Sequence, residues 1–205
     1  MNARHVLLGV LLIAAGCANG QPKSAGNPAE EPQAAAETAR REPVETRRGQ
    51  VQATMIAADK APTIDGTPGE AVWMNAPELT VGAVADEGAG PAATKARVLF
   101  GPTHMYVAVV CAQKDTGGLK ATVKQRDGDV WKDDCVDVFV TGDHRQGFFH
   151  FIVNPAGTLW DARFAPGKKD DVSWNSSAKA AADVVEDKRY TVELAIPLKD
   201  VGAYV

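Results

Sequence analysis

From Thr94 onward the chain is a succession of short β-rich runs, each closed by Gly, Pro, Asn or Asp. No other feature constrains its fold as strongly. Thr94-Lys95-Ala96-Arg97-Val98-Leu99-Phe100 and Met105-Tyr106-Val107-Ala108-Val109-Val110-Cys111 flank the punctuation Gly101-Pro102-Thr103-His104, which predicts a hairpin. Further strands are expected over residues 119–125, 135–141, 147–153, 158–164, 177–185 and 189–196. Asn154-Pro155-Ala156-Gly157 puts Pro second and Gly fourth, as type I turns favour. Helical periodicity is nearly absent. Residues 70–75 support a single turn, because Ala71, Val72 and Met74 do not sustain a longer stripe. Many short strands with turn signals between them predict an all-β chain, an antiparallel sandwich.

The strands do not begin at the N-terminus. Residues 1–17 have the form of a lipoprotein-type export signal. Arg4 stands near the start with no acid, residues 6–15 are apolar apart from Gly9, and Ala14-Ala15-Gly16-Cys17 follows. A ten-residue run is too short to span a bilayer as a helix but suits a signal's apolar region. Cys17 is then the lipidated residue, and the alternative is ordinary signal cleavage near Ala18. Residues 18–52 read as a disordered linker. They are rich in Ala, Glu, Pro, Gln and Arg and too poor in large apolar side chains to offset the entropy of ordering. Residues 53–205 are one domain's worth of chain. The expected location is therefore the bacterial cell envelope, with the membrane reached through the N-terminal lipid only. Net charge is −4. Such a mildly acidic chain is a poor partner for a phosphate backbone, so nucleic acid is not expected as a partner.

Outside the signal the cysteines are Cys111 and Cys135, each at one end of a strand-like run. In an oxidising compartment they are a disulfide candidate that would add about 3 kcal/mol. The other reading is two small buried apolar side chains.

Trp131 stands out among Lys124, Arg126, Asp127, Asp129, Lys132, Asp133 and Asp134, all of which resist burial. A flat apolar ring held among carboxylates at the edge of a sheet suits the apolar face of a sugar. Trp174, in Asp171-Val172-Ser173-Trp174-Asn175-Ser176, is a candidate second platform. Trp73 is expected in the core, and Trp160 is left open to either face. Asp127, Asp129, Asp133 and Asp134 are an oxygen-rich set that could hold a structural calcium. Their spacing fails the EF-hand loop, because Trp131 occupies a ligand position. The plainer reading is a solvated acidic loop.

These motifs resemble family-9 carbohydrate-binding modules. Ala61-Pro62-Thr63-Ile64-Asp65-Gly66 with Glu70-Ala71-Val72-Trp73 resembles the family's opening. Ala96-Arg97-Val98-Leu99-Phe100 and Met105-Tyr106-Val107-Ala108-Val109 resemble its first long hairpin. Trp131-Lys132-Asp133-Asp134-Cys135-Val136-Asp137-Val138-Phe139 resembles its W-x-x-D-x-V-E-[IL]-F segment, and Tyr190-Thr191-Val192-Glu193-Leu194-Ala195-Ile196-Pro197 its late strand. The resemblance covers residues 61–202. It implies a β-sandwich that binds a polysaccharide or oligosaccharide, performs no chemistry, and accompanies glycoside hydrolases in carbohydrate breakdown. It further implies that Trp131 stacks on the sugar and that Asp137 stands for a glutamate that bonds its hydroxyls. Structural calcium is frequent in such modules. Two departures are visible. Ile152 stands where sugar-binding members carry arginine. The chain also ends at Val205, before the segment that supplies a second tryptophan, so the sandwich is expected to be C-terminally incomplete, without its last strands.

Three other readings compete. A glycosidase pair from Asp134 and Asp137 is disfavoured, since regular pairing would turn them to opposite sides. Related sandwiches hold haem, which would pair Met105 with His150 or Lys124; a strand methionine more often fills a core. The last is an envelope scaffold docking through an open sheet edge. Apart from the calcium, no cofactor is expected.

Overall fold

The computed structural model describes residues 9–15, 53–81, 94–113, 115–141 and 147–202. Cys17 and residues 18–52 lie outside the described residues. Among the described residues ten strands follow one another: β1 (Gly9–Ala15), β2 (Thr54–Met55), β3 (Leu79–Val81), β4 (Thr94–Phe100), β5 (His104–Ala112), β6 (Cys135–Thr141), β7 (Phe148–Val153), β8 (Leu159–Phe164), β9 (Lys179–Val185) and β10 (Arg189–Pro197). The helical content of these described residues is one α-turn, α1 (Ala71–Met74), and two 3-10 turns, Ala58–Lys60 and Val130–Lys132. None of the described helices is long and apolar enough to cross a membrane.

The strands form two sheets. One has the order β1-β6-β7-β8; the other runs β2-β4-β5-β10-β9, with β3 also on β4. All pairings are antiparallel except β2 with β4. The expected all-β sandwich is therefore the architecture found. Alternation explains how the sheets stack. Val136, Val138 and Val140 of β6, Phe151 and Val153 of β7 and Leu159 of β8 face Met105, Val107, Val109, Val192, Leu194 and Ile196 across the inner layer. β5 and β10 are central in their sheet, which is why they read as nearly continuous apolar runs.

Each sheet has its outer face partly covered by chain from elsewhere. The N-terminal segment lays Trp73 and Ala76 over Leu99, Tyr106, Ala108 and Ala195. Trp73 is fully buried there, as expected for a packing residue; a fully buried large apolar side chain contributes about 1.5–3 kcal/mol. On the other sheet, Val123 and Val130 pack over Cys135, Ile152, Trp160 and Ala162.

Residues 119–125 form no strand, contrary to the expectation from their alternation. Their amides bond to side chains instead of a ladder. Lys120 N–H donates to Asp134 Oδ2 at 2.6 Å and Val123 N–H to Asp133 Oδ2 at 2.8 Å. The disulfide candidate also requires correction. Cys111 and Cys135 are both buried free thiols. Cys111 points into the layer between the sheets, whereas Cys135 points out of the other side of β6. Met105 is fully buried in the inner layer, while His150 alternates with the core residue Phe151 and faces away from it. The structure therefore does not bring together the Met105–His150 haem pair.

Candidate functional site

The outer face of the β6-β7-β8 sheet carries an aromatic row, and strand alternation builds it. Cys135, Asp137 and Phe139 of β6 share this face with Phe148, His150 and Ile152 of β7 and Trp160, Ala162 and Phe164 of β8. The register pairs Asp137 with Ile152, Phe139 with His150, Ile152 with Trp160 and Phe148 with Phe164. Phe139 and His150 stack at 4.0 Å and 17°. His150 meets Trp160 edge-on at 5.4 Å, and Phe148 stacks on Phe164 at 4.6 Å. Aromatic pairs at these separations and angles are attractive beyond their area burial.

Trp131 closes one end of the row. It sits in the 3-10 turn Val130–Lys132, whose Val130 is buried beneath it. Its ring meets Trp160 at 5.6 Å and 75°, an edge contact. Trp131 is 49% exposed, while Trp160 keeps only 8% of its surface in solvent. Trp131 thus contacts the row by an edge and leaves much of its ring to water.

Asp137 and Trp131 are on one connected surface, linked through His150 and Trp160. Asp137 Oδ1 lies 2.7 Å from His150 Nε2. Cys135 Sγ lies 3.7 Å from Asp137 Oδ2. A carboxylate has about four acceptor positions, so these contacts leave capacity for a ligand hydroxyl. Burial, with Asp137 and other carboxylates nearby, pushes the Cys135 thiol up to about 12, which leaves it protonated and unreactive at neutral pH. His150 was legible only indirectly. The alternation of Phe148, His150 and Ile152 places it on this face, but its bond to Asp137 has no local sequence signal.

Trp174 is elsewhere. It packs on Phe149 at 5.0 Å and Phe151 at 6.1 Å, which belong to the opposite side of β7. The structure therefore does not join it to Trp131 as a second platform.

The four aspartates proposed for calcium are not gathered either. Asp133 accepts from Thr122 Oγ1 at 2.8 Å, Val123 N–H at 2.8 Å and Asn154 Nδ2 at 2.9 Å. Burial alone would raise its pKa, but these bonds hold its carboxyl below the ordinary range. Asp134 accepts from Lys120 N–H, Asp129 pairs with Lys132, and Asp127 lies 3.6 Å from Arg126. Among the described residues, no three His, Cys, Asp or Glu side chains come together as a metal site. The acids instead pin the loop that carries Trp131. Asp134 accepts from Lys120, and Asp137 is paired with His150.

A second constellation explains the motif at the start of the domain. Glu193 on β10 is fully buried. It accepts from Asp65 N–H at 3.1 Å, Gly66 N–H at 2.8 Å and Trp73 Nε1 at 3.0 Å. Gly66 has φ +92°, and a Cβ there would lie 2.5 Å from the Ala182 carbonyl carbon. The Asp-Gly and Trp of the opening thus meet the Glu of the late strand, which locks the N-terminal segment onto the sheet.

A family described as carbohydrate family 9 binding domain-like matches residues 64–204. Among solved structures, a Bacteroides uniformis protein to which carbohydrate binding is provisionally ascribed superposes with a TM-score of 0.59 at 15% identity, over 75% of this chain and 74% of that one. A family 9 carbohydrate-binding module from Caldicellulosiruptor kristjanssonii, solved with cellotriose, gives 0.48 at 16% identity, over 71% and 67% of the two chains. The same organism's family 9 module solved with glucose gives 0.48 at 16% identity, over 71% and 69%. Among curated proteins none matches this chain. With 141 consecutive residues inside the family match, the chain belongs to the carbohydrate family 9 binding domain-like family.

Proposed function

We propose that this chain is an exported, non-catalytic protein that binds a polysaccharide or oligosaccharide without a cofactor. The observation that carries the reading is Trp131, a half-exposed indole held at the end of an aromatic row in a domain of this family. Trp131 stacks on the sugar face, and Asp137 with His150 supplies hydrogen bonds to its hydroxyls. Stacking provides most of the affinity, because a bond to a hydroxyl replaces one to water and nets only about 1 kcal/mol. Ile152 is buried beside Asp137 and Trp160 and adds no charge to the site. A dissociation constant on the order of 1 mM, near −4 kcal/mol, is therefore expected.

The signal-like residues 1–17 support export with lipidation at Cys17, and residues 18–52 serve as the tether. At the envelope such a module would hold a polymer close to enzymes that degrade it. The reading is tested with an array of plant-type and bacterial envelope glycans probed with the purified chain. Retention of a glycan class supports it. An array on which nothing is retained at millimolar sites would show a scaffold rather than a sugar binder.

A further inference from the structure

Trp131 and Trp160 meet edge-on, yet they belong to separate segments, the turn before β6 and the strand β8. One side chain holds both segments. Asn154 follows β7 and is fully buried. Its Oδ1 accepts from Ala156 N–H at 3.1 Å and Thr158 N–H at 2.9 Å. Its Nδ2 donates to the Val123 carbonyl at 2.8 Å and to Asp133 Oδ2 at 2.9 Å. A side-chain amide has two acceptor positions and two donor hydrogens, so all are in use. Thr158 lies just before Trp160, and Val123 and Asp133 lie on either side of Trp131. The oxygen end therefore fixes the approach to β8, and the nitrogen end fixes the loop that carries Trp131. The tie continues into the turn itself, because Asp133 N–H donates to the Val130 carbonyl at 3.1 Å.

We infer that Asn154 is the positioning residue of the Trp131 platform: its amide holds the Trp131 turn and the Trp160 strand in one mutual orientation. The inference rests on the proposed function, which makes the Trp131 ring the platform. A half-exposed indole has little packing of its own to fix it. Among the described residues, the one aromatic ring it meets is that of Trp160. Its direction is therefore set through the backbone on either side, and those are the points that Asn154 holds. An indole fixed in advance stacks on a sugar without first having to be ordered, and ordering it on binding would cost affinity.

The test compares the full-length chain with Asn154→Ser and Thr122→Val. A serine hydroxyl can still accept from the turn amides, but it has no amide hydrogens for Val123 and Asp133. Thr122→Val removes the 2.8 Å bond from Thr122 Oγ1 to Asp133 Oδ1 and spares those of Asn154. Far-ultraviolet circular dichroism reads the paired bands of the coupled Trp131 and Trp160 indoles, assigned by their loss in Trp131→Phe. Hydrogen exchange is read over residues 119–134, with β5 and β10 reporting on the fold. Asn154→Ser should lose the paired bands and exchange at least about tenfold faster over residues 119–134, with β5 and β10 unchanged. Thr122→Val should keep the bands. Equal bands in wild type and Asn154→Ser would overturn the assignment. Loss of the bands in both variants would also overturn it, since any bond of the loop would then serve. So would loss of protection in β5 and β10 of Asn154→Ser, which would make Asn154 a residue of the fold at large. No sugar enters these readouts, so the joint can fail while the glycan array succeeds, and the reverse.

Discussion

The indole N–H of Trp73 donates to the Glu193 carboxylate across 3.0 Å, and both side chains are fully buried. The bond joins residues 120 positions apart and closes the N-terminal segment over the outer face of a sheet. Trp73→Phe keeps most of the apolar volume but leaves a buried carboxylate oxygen without its donor. A loss of about 1–3 kcal/mol is expected in chemical denaturation. A change below about 0.5 kcal/mol would show that the bond is not what holds the segment.

Gly66 is required by the same clamp. Its φ is +92°, and a Cβ added there would approach the Ala182 backbone to 2.5 Å, so a side chain has no place. Gly66→Ala should cost about 2–4 kcal/mol. Thermal denaturation would detect this as a large drop in Tm, and an unchanged Tm would contradict the geometry.

Acid sensitivity should track Asp133. Its carboxyl lies below the ordinary range in the folded chain, so the unfolded chain binds the proton more readily. Its contribution is full above the unfolded value, about 3.9, and is lost as pH falls through the folded one. Asp133→Asn should lower stability at pH 7, by about 2 kcal/mol, and flatten the acid limb of the stability profile. An acid limb as steep as that of wild type would assign the loss to other groups.

Cys111 on β5 points into the layer between the two sheets and Cys135 on β6 points away from that layer, so they should stay reduced even under oxidising conditions. Alkylation mapped by mass spectrometry should label both in denaturant and, with the Cys135 thiol pushed up to about 12, neither in the native state at pH 8. A peptide pair linked through these two residues would contradict the fold.

The strands from β4 to β10 were legible in the sequence because one face of each had to be apolar, and alternation and turn residues record that demand directly. Trp73 was legible as core for the same reason. Residues 119–125 misled, because their alternation resembles a strand while their amides bond to Asp133 and Asp134, a side-chain partnership with no period. Trp174 misled because polar neighbours made an indole in contact with Phe149 look exposed. The pairing of Asp137 with His150 crosses two strands and depends on register, which no local pattern encodes. The exposure of Trp131 was legible because an apolar ring among charges has no local reason to be buried there.

The central claim is that Trp131 is the sugar platform. It is tested most directly by calorimetric titration of wild type, Trp131→Ala and Trp174→Ala with soluble oligosaccharides of glucose, xylose and mannose and with peptidoglycan fragments. Because Trp131 is half exposed, its removal should cost little stability, about 1 kcal/mol or less, and circular dichroism should be unchanged. Wild type and Trp174→Ala should bind one of these sugars with a dissociation constant near 1 mM, and Trp131→Ala at least about tenfold more weakly, a loss of about 1.4 kcal/mol. Equal binding by wild type and Trp131→Ala would contradict the account.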